Sequence, residues 1–354
     1  MIALYLHFNP SSSPVLKFQN DKTQKKMASS VCLRDIQEAS KRIAPYIHRT
    51  PVLTSSTLDK MTGKSLFFKC EVFQKVGAFK FRGASNAIGK LVEEYPGDTK
   101  HLMIVTHSSG NHAQAIALAS KLRGVKANIV MPKDSPAVKK NAVLGYGAQI
   151  TECVNTKEGR EGTCASVLKS YGSNGHLIHP FDNVHVIAGQ GTIGLEVLEQ
   201  VPHADAILVP VGGGGLISGV SIAVKNTRPD VKIFAAEPAN ADDCAKSLAG
   251  NTRIPLTGPP NTIADGLRTS IGEVTWPIIK QYVDDVITVS EEEIINATRL
   301  VMERMKVVIE PSSGVVVAAL FTEKFQNIAA SFNNIAVLLC GGNIDLDNFP
   351  PPQP

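Results

Sequence analysis

The chain has 354 residues, of which 43% are hydrophobic and 19% are charged, as in ordinary soluble globular proteins with a sizeable core. Its formal net charge of +4 is too small and too dispersed to favour nucleic-acid binding. It has no apolar run long enough to cross a membrane. The six cysteines include no Cys-x-x-Cys pair, which predicts reduced thiols and a cytoplasmic location.

Residues 1–27 differ in composition from the rest of the chain. They include Pro10-Ser11-Ser12-Ser13-Pro14 and a polar, lysine-rich stretch that ends before Met27. The segment has no arginine and lacks the long apolar core of a secretory signal. We therefore expect residues 1–27 to form a disordered tail outside the fold.

The first regular element is a helix near 32–44, where Leu33, Ile36, Ala39 and Ile43 recur at helical spacing. Further on, strands and helices alternate. Strands are predicted at 65–71, 102–106, 127–132, 148–153, 177–179, 206–211, 231–236, 286–289 and 335–339, and helices from 80 to 91, at 112–122, 137–144, 159–171, 216–226, 291–305 and 314–325, with another ending at 200. Such alternation is typical of α/β proteins with parallel sheets covered by helices.

Two blocks of this alternation predict two domains. We expect a large domain from residues 28–100 and 180–350, and a small domain from residues 101–179.

Lys80 lies between two phenylalanines and follows Gly77 closely. Partial desolvation there would lower the pKa of its amine and make it a nucleophile able to form a Schiff base. The alternative is a surface lysine whose stem covers apolar side chains, which is the usual fate of an isolated lysine.

Four consecutive glycines, Gly212 to Gly215, join a predicted strand to a helix that begins near Leu216. Consecutive glycine amides at a helix N-terminus favour a phosphate-binding site. The alternative is a glycine turn that permits close packing. The spacing fits neither a dinucleotide fingerprint nor a Walker loop, which argues against a nicotinamide dehydrogenase.

Polar residues also follow two other predicted strands. The segment 106–112 contains Ser109 and Asn111, which we interpret either as ligand-binding side chains at a strand end or as helix N-caps. Cys340 ends the last strand, where it either faces a ligand or is a small buried residue.

Acidic residues occur near two element boundaries. Glu237 and Asp243 flank a turn whose oxygens suit a hard cation, although spacing alone favours a solvated turn. Glu310 is either a first-turn acid that complements the helix dipole or a site carboxylate. Arg160 is interpreted as a solvated helix residue, and His179 and His185 as structural residues.

An activated lysine, a glycine phosphate site and polar strand ends together suggest pyridoxal phosphate. The sequence resembles the serine racemase and serine/threonine dehydratase family, of the tryptophan-synthase-β fold type (fold type II), over roughly residues 30–348. The motifs that carry the resemblance are, in order, Gly77-Ala78-Phe79-Lys80-Phe81-Arg82-Gly83, Thr106-His107-Ser108-Ser109-Gly110-Asn111-His112, Gly189-Gln190-Gly191-Thr192, the tetraglycine and Cys340-Gly341-Gly342-Asn343.

The resemblance implies a role for each matching residue. Lys80 would bind the cofactor covalently, and Ser109 would be the second acid–base on the opposite ring face. Phe79 would flank the cofactor, Asn111 would bind its ring hydroxyl, and Cys340 would face its ring nitrogen. The main-chain amides that would hold its phosphate are those of Gly212, Gly213, Gly214, Gly215 and Leu216.

The resemblance also implies other ligands and a homodimer. A divalent cation, Mg2+ or alternatively Mn2+ or Ca2+, would bind Glu237, Asp243 and the carbonyl of Ala241. ATP would act as an allosteric activator at a subunit interface. The residues at matching nucleotide positions are Ser55, Ser56, Thr57, Lys75, Gln114, Tyr146, Lys306 and Asn343.

The activity implied is interconversion of L- and D-serine with concurrent elimination of serine, and of L-threonine as a further substrate, to a keto acid and ammonia. The alternative is a catabolic threonine/serine dehydratase with little racemase activity. Phe181, where animal serine racemases have Asn, and Cys340 leave the balance between these activities open. A non-catalytic binding protein with this fold is disfavoured because Lys80 is retained. No nucleic-acid or membrane partner is expected.

Overall fold

The computed structural model describes residues 31–350. The predicted disordered tail, residues 1–27, lies outside these residues. Within the described part, no helix combines the length and apolar character needed to cross a bilayer.

The larger sheet has six strands in the order β1-β2-β10-β7-β8-β9. Only β1 runs antiparallel to its neighbour, and the other pairings are parallel. The strands are β1 (Val52–Leu53), β2 (Ser65–Cys70), β7 (Ala206–Pro210), β8 (Lys232–Pro238), β9 (Asp285–Val289) and β10 (Asn334–Leu339).

The smaller sheet is entirely parallel, in the order β5-β4-β3-β6. Its strands are β3 (Met103–His107), β4 (Lys126–Pro132), β5 (Gln149–Cys153) and β6 (Gly175–Leu177). The α/β fold class predicted from the alternation is therefore confirmed, whereas the domain boundaries at residues 100 and 180 stay a prediction.

Helices cover the sheets. They are α1 (Leu33–Ile43), α2 (Ser56–Thr62), α3 (Lys80–Glu94), α4 (Asn111–Leu122), α5 (Ala137–Gly145), α6 (Lys157–Tyr171), α7 (Val184–Gln200), α8 (Gly215–Lys225), α9 (Asp243–Ala249), α10 (Thr275–Tyr282), α11 (Glu291–Met305), α12 (Pro311–Ala319) and α13 (Glu323–Ile328).

One predicted helix is divided in two. The pattern over 314–325 predicts a single helix, but α12 ends at Ala319 and α13 begins at Glu323. The Thr322 side chain accepts a hydrogen bond from the Phe325 amide and so caps α13. This local competition between a cap and a continuous helix is not visible in hydrophobic spacing.

Both faces of the larger sheet are buried. On β7, Leu208 packs into the core shared with α12, whereas Ile207 and Val209 pack into the core shared with α8. Alternate residues of a strand point to opposite faces, so a strand with two covered faces is a continuous apolar run.

The helices α3, α7 and α8 contact each other through glycines. A Cβ on Gly189 of α7 would lie 2.7 Å from the Arg82 carbonyl oxygen of α3. A Cβ on Gly219 of α8 would lie 2.3 Å from the Ile187 carbonyl oxygen of α7. Because backbone meets backbone at both contacts, α7 fixes the start of α3 relative to the start of α8.

We predict that Gly219→Ala lowers the free energy of unfolding by about 1–3 kcal/mol, because the added methyl group overlaps backbone atoms that cannot move aside. Chemical denaturation of the purified protein measures this change.

The matched control is Gly162→Ala in α6, where a Cβ has nothing within 4 Å. Alanine favours a helix over glycine, so this variant should be about 0.5–1 kcal/mol more stable than the parent. Equal stability of the two variants would contradict the close packing.

Candidate active site

Lys80 is the first residue of α3 and is fixed by the last strand of the larger sheet. The Phe79 amide donates to the Cys340 carbonyl, 2.9 Å away, and Ala78 forms an isolated antiparallel bridge with Gly341. The Lys80 amine donates to the Pro180 carbonyl oxygen at 2.9 Å and lies 5.1 Å from the centre of the Phe79 ring. The amine therefore points into the space between the end of β10 and the segment that follows β6.

Burial lowers the pKa of the Lys80 amine to about 8, although the nearby Cys340 and Glu310 act in the opposite direction. An amine with this pKa is neutral in an appreciable fraction of molecules near neutral pH. It can therefore act as a nucleophile or as a base.

Cys340 and Glu310 lie on the side of the site formed by β10 and α12. The Cys340 sulfur is 3.3 Å from the Ser313 hydroxyl and 3.9 Å from a Glu310 carboxyl oxygen. Burial raises the pKa of the Cys340 thiol strongly, and the neighbouring Glu310 raises it further. Cys340 is therefore a neutral thiol.

Asn111 reaches across the site instead of capping its own helix. Gly110 is the N-cap of α4 and has no side-chain capping bond, so the interpretation of Ser109 or Asn111 as a cap is wrong. The Asn111 amide nitrogen donates to both Glu310 carboxyl oxygens, at 3.0 and 3.1 Å. A buried carboxylate is a stronger acceptor than the helix terminus is a donor, which explains the orientation.

Asn343 completes this hydrogen-bonded group. Its side-chain nitrogen donates to the Asn111 side-chain oxygen at 2.9 Å and to the Val76 carbonyl at 2.8 Å. Its main-chain amide donates to Glu310 at 3.2 Å. A residue predicted for the nucleotide site thus contacts one predicted for the cofactor site.

Glu310 is the residue whose importance the sequence did not decide. It is 2% exposed, and burial raises the pKa of its carboxyl group to about 7. The available signal was its place before Pro311 and an apolar helix, which predicts a carboxylate directed into a covered helix start. Its contacts with Asn111 and Asn343 depend on distant packing and had no local signal.

The tetraglycine has the geometry of an anion-binding loop. Gly214 has φ +88°, and α8 begins at the next residue. Among the described residues, no acceptor is bonded to the amides of Gly212, Gly213 or Gly214. The first amides of α8 also lack partners within their own helix, so a row of donors is available to an anion.

The packing interpretation of the tetraglycine is also correct in part. A Cβ on Gly213 would lie 2.3 to 2.4 Å from atoms of the Phe181 ring, and one on Gly215 would lie 2.8 Å from the Phe181 carbonyl oxygen. Glycine is therefore needed both to present amides and to admit Phe181.

The segment that carries Pro180 and Phe181 is held at both sides. The His179 ring nitrogen Nδ1 accepts a hydrogen bond from the Asp182 amide at 3.0 Å, and burial lowers the pKa of His179 to about 3. The Asp182 carboxylate accepts bonds from the amides of Glu273, Val274 and Thr275 at the start of α10. His179 is therefore neutral, and the acceptor for Lys80 is in a fixed loop.

Ser109 lies between β3 and α4, two residues before Asn111. Its side chain is partly exposed, and the neighbouring Ser108 hydroxyl accepts from the Gly110 amide at 3.2 Å. The structure brings Lys80, Asn111 and Cys340 together around Glu310; the acid–base role of Ser109 stays a prediction.

The predicted cation residues lie beyond the end of β8. The Glu237 carboxylate accepts bonds from the amides of Cys244 and Ala245, at 3.2 and 2.8 Å. Asp243 accepts from the Ile271 amide at 2.8 Å, and Ala241 is buried in the turn between the two acids. Glu237 and Asp243 are buried, so the alternative of a solvated acidic turn is wrong.

Burial raises the pKa of Asp243 to about 6 and that of Glu237 well above its ordinary value. A cleft of about 470 Å3 lined in part by Asp243 adjoins this turn. The described residues contain no group of three or more His, Cys, Asp or Glu side chains that could hold a metal ion. Two carboxylates, a carbonyl and water would together suit Mg2+, which usually retains several waters.

The predicted nucleotide residues occupy several elements. Ser55 is the N-cap of α2, with Ser56 and Thr57 in its exposed first turn. The Lys75 amine lies 5.8 Å from the centre of the Phe81 ring, and Lys306 ends α11 with φ +60°. Gln114 is in α4 and Tyr146 ends α5, packed against the core of the smaller sheet. No contact in the described structure joins these residues into one site, and Asn343 alone reaches the centre.

The chain belongs to the family described as pyridoxal-phosphate dependent enzymes, which it matches over residues 43–341. Its fold is therefore the α/β fold of tryptophan synthase β, fold type II. The family identification agrees with the lysine, the glycine loop and the two sheets described above.

Among curated relatives, the chain is 51% identical to a serine racemase of Dictyostelium discoideum over 322 residues, covering 91% of this chain and 97% of that protein. It is 50% identical to a serine racemase of Homo sapiens over 322 residues, covering 90% and 94% respectively.

Solved structures agree with these relatives. A maize serine racemase superposes with a TM-score of 0.85 at 46% identity, covering 90% of this chain and 95% of that one. A bacterial-type threonine deaminase, that of T.th., superposes with a TM-score of 0.81 at 43% identity, covering 89% and 99%.

The residues present fit pyridoxal phosphate. The amides of the tetraglycine offer donors to a phosphate, and a side chain on any of its four glycines would clash with neighbouring atoms. The Lys80 amine with its lowered pKa suits covalent attachment to an aldehyde.

We predict that Glu310→Gln is more stabilising, relative to the parent, at pH 8 than at pH 5. In the folded parent Glu310 keeps its proton up to a pKa of about 7, whereas the unfolded chain releases it near 4.5. Because the folded state binds more protons between these values, Glu310 makes the parent lose stability as pH rises from about 5 to 7. Gln removes this loss, which is at most about 3 kcal/mol.

Denaturation of the cofactor-free protein at pH 5, 6, 7 and 8 measures the difference. Glu323→Gln, at an exposed helix start, is the control and should show no such trend. A difference that shrinks as pH rises would contradict the raised pKa of Glu310.

Proposed function

We propose that the protein is a pyridoxal-phosphate-dependent serine racemase that interconverts L- and D-serine and also eliminates serine to pyruvate and ammonia. The observation that carries the substrate is near-complete coverage at about half identity with serine racemases from two distant organisms. The Lys80 amine, with its pKa of about 8, carries the chemistry.

Lys80 holds the cofactor covalently in this proposal. The main-chain amides of Gly212 to Gly215 and of Leu216 hold its phosphate, and Phe79 flanks its ring. Asn111 binds the ring hydroxyl and Cys340 faces the ring nitrogen. When bound, pyridoxal phosphate supplies a ring that stabilises negative charge at the Cα of the substrate.

The Lys80 amine removes the Cα proton from one face. It is available for this because burial leaves much of it unprotonated near neutral pH. The neutral thiol of Cys340 supplies no negative charge that would hold a proton on the ring nitrogen, so stabilisation of the Cα charge is moderate rather than maximal.

The Ser109 hydroxyl returns a proton to Cα from the opposite face and so inverts the centre. If the hydroxyl group leaves Cβ before a proton returns, the products are pyruvate and ammonia after hydrolysis. The orientation of the leaving hydroxyl therefore decides between racemisation and elimination.

The second candidate function is a catabolic threonine/serine dehydratase with little racemase activity, and L-threonine is a further substrate in either case. Phe181, which packs on the tetraglycine, and Cys340 favour this alternative. The 43% identity with a threonine deaminase also supports it.

We further propose a cytoplasmic homodimer with two additional ligands. A divalent cation, Mg2+ or alternatively Mn2+ or Ca2+, binds Glu237, Asp243 and the Ala241 carbonyl, where it relieves the cost of burying two acids. ATP binds the nucleotide residues named above and acts through Asn343, which touches Asn111. The unpaired state of all six cysteines supports a reducing compartment.

We predict that Ser109→Ala loses about 100-fold or more of its D-serine formation from L-serine while retaining part of its pyruvate formation, since only inversion needs the second acid–base. Both products are measured in one assay, with and without Mg2+ and ATP.

Lys80→Ala is the companion variant and should lose both products. Unchanged D-serine formation by Ser109→Ala would remove Ser109 from the mechanism. Pyruvate without D-serine in the parent protein would favour the dehydratase.

We predict that Mg2+ raises the melting temperature of the parent protein but not that of Asp243→Asn, because the amide removes one of the two charged ligands. At a concentration 100 times the dissociation constant, the cation should stabilise the parent by about 2.7 kcal/mol. Binding should weaken as pH falls through about 6, where Asp243 gains a proton.

Asp242→Asn is the matched control, because Asp242 is the neighbouring acid and pairs with Lys246 at 2.7 Å instead. It should keep the response to Mg2+. Equal responses of the two variants would place the cation elsewhere.

A further inference from the structure

A buried group of ionic side chains lies behind the lysine. It consists of Arg82 on α3, Glu71 just after β2, Glu196 on α7 and Lys69 on β2, and we call it the ion anchor. The side chains of Arg82 and Glu71 are fully buried, and those of Lys69 and Glu196 are 1% and 12% exposed. The four formal charges cancel.

Arg82 is bound on two sides of its planar guanidinium group. It donates to both oxygens of Glu71, each at 2.8 Å. It also donates to both oxygens of Glu196, at 2.7 and 2.9 Å. Two forked contacts fix the orientation of the group as well as its position, which a lysine at this place would not do.

The remaining partners of the ion anchor are also satisfied. The Thr50 hydroxyl donates to Glu71 at 2.6 Å. The Lys69 amine donates to Glu196, to the Thr50 carbonyl at 2.9 Å and to Gln200 at 2.8 Å. Such a group contributes little net stability compared with apolar residues of the same size, because its desolvation is costly. Its presence calls for an explanation other than stability.

The position of Arg82 supplies that explanation. It lies two residues after Lys80 in the first turn of α3, so the two side chains leave the helix about 200° apart. Cβ atoms on Gly83 or Gly189 would overlap neighbouring atoms, so this turn also packs directly on α7. The turn thus presents Lys80 on one side and is clamped through Arg82 on the other.

We propose that Arg82, held by Glu71 and Glu196, is a positioning residue that places the Lys80 amine for reaction. The inference rests on the proposed function for its kinetic consequence, but its structural part concerns Lys80 alone. Because Glu71 follows β2 and Glu196 is on α7, the ion anchor ties the lysine-bearing turn to the sheet and to the helix that contacts α8.

The test compares Arg82→Lys, which keeps the charge and loses the forked contacts, with the parent. The first measurement is the pH dependence of Lys80 acetylation by acetic anhydride in the cofactor-free full-length chain, read by mass spectrometry of the Lys80 peptide. We expect its midpoint to rise from about 8 toward the ordinary value of 10.5, because a loosened turn lets water reach the amine.

The second measurement is steady-state kinetics of the loaded enzyme. We expect kcat to fall roughly 100-fold while KM changes little, as for a misplaced reacting group. Arg42→Lys is the matched control, since Arg42 is also largely buried and forked on Glu93 but contacts α3 further along, at Asn86. It should lower the melting temperature without changing the Lys80 midpoint or kcat.

Glu196→Gln provides a second variant if Arg82→Lys does not fold, because it keeps the side-chain volume and weakens one of the two forked contacts. It should raise the Lys80 midpoint in the same direction. A lower melting temperature with an unchanged midpoint and unchanged kcat in the folded variants would make the ion anchor a purely structural feature. If the parent forms neither D-serine nor pyruvate, the proposed function fails, whereas the acetylation midpoints still decide the role of Arg82.

Discussion

Backbone-to-backbone contact among α3, α7 and α8 is the constraint on which the site depends. At Gly189 and Gly219 a Cβ would come within 3 Å of a neighbouring carbonyl oxygen, so the three helices approach as closely as main chains can. Lys80 begins α3 and the tetraglycine precedes α8. The separation of an amine from a row of amides is thus set by helix packing rather than by a flexible loop, which is the requirement for holding both ends of one small cofactor.

Burial gives the centre its chemical character. It lowers the pKa of Lys80 to about 8 and raises that of Glu310 to about 7. It also raises the pKa of Cys340, so that the thiol stays protonated. Two groups with pKa values close to neutrality can exchange protons at little cost. Fully charged side chains lie instead in the ion anchor behind the first turn of α3, where every one of them has a partner.

The sequence predicted those parts of the molecule whose signals are local. Alternating apolar segments indicated the α/β fold, and flanking apolar residues and glycines indicated Lys80 and the tetraglycine. Glu310 was left undecided because its burial depends on contacts with Asn111, 199 residues away. The partner of Arg82 on α7 is 114 residues away and had no local signal. Asn111 was misread in part as a cap, because a local rule cannot anticipate a stronger distant acceptor.

The pairing of β2 with β10 has a consequence for biosynthesis. These strands lie side by side in register from Ser65 with Asn334 to Cys70 with Leu339, although most of the chain separates them. The Phe79 amide, next to Lys80, is bonded to Cys340 just after β10. A nascent polypeptide cannot complete this arrangement until its final strand has left the ribosome, so vitamin B6 capture is a post-translational event and early fragments expose an unpaired edge to chaperones.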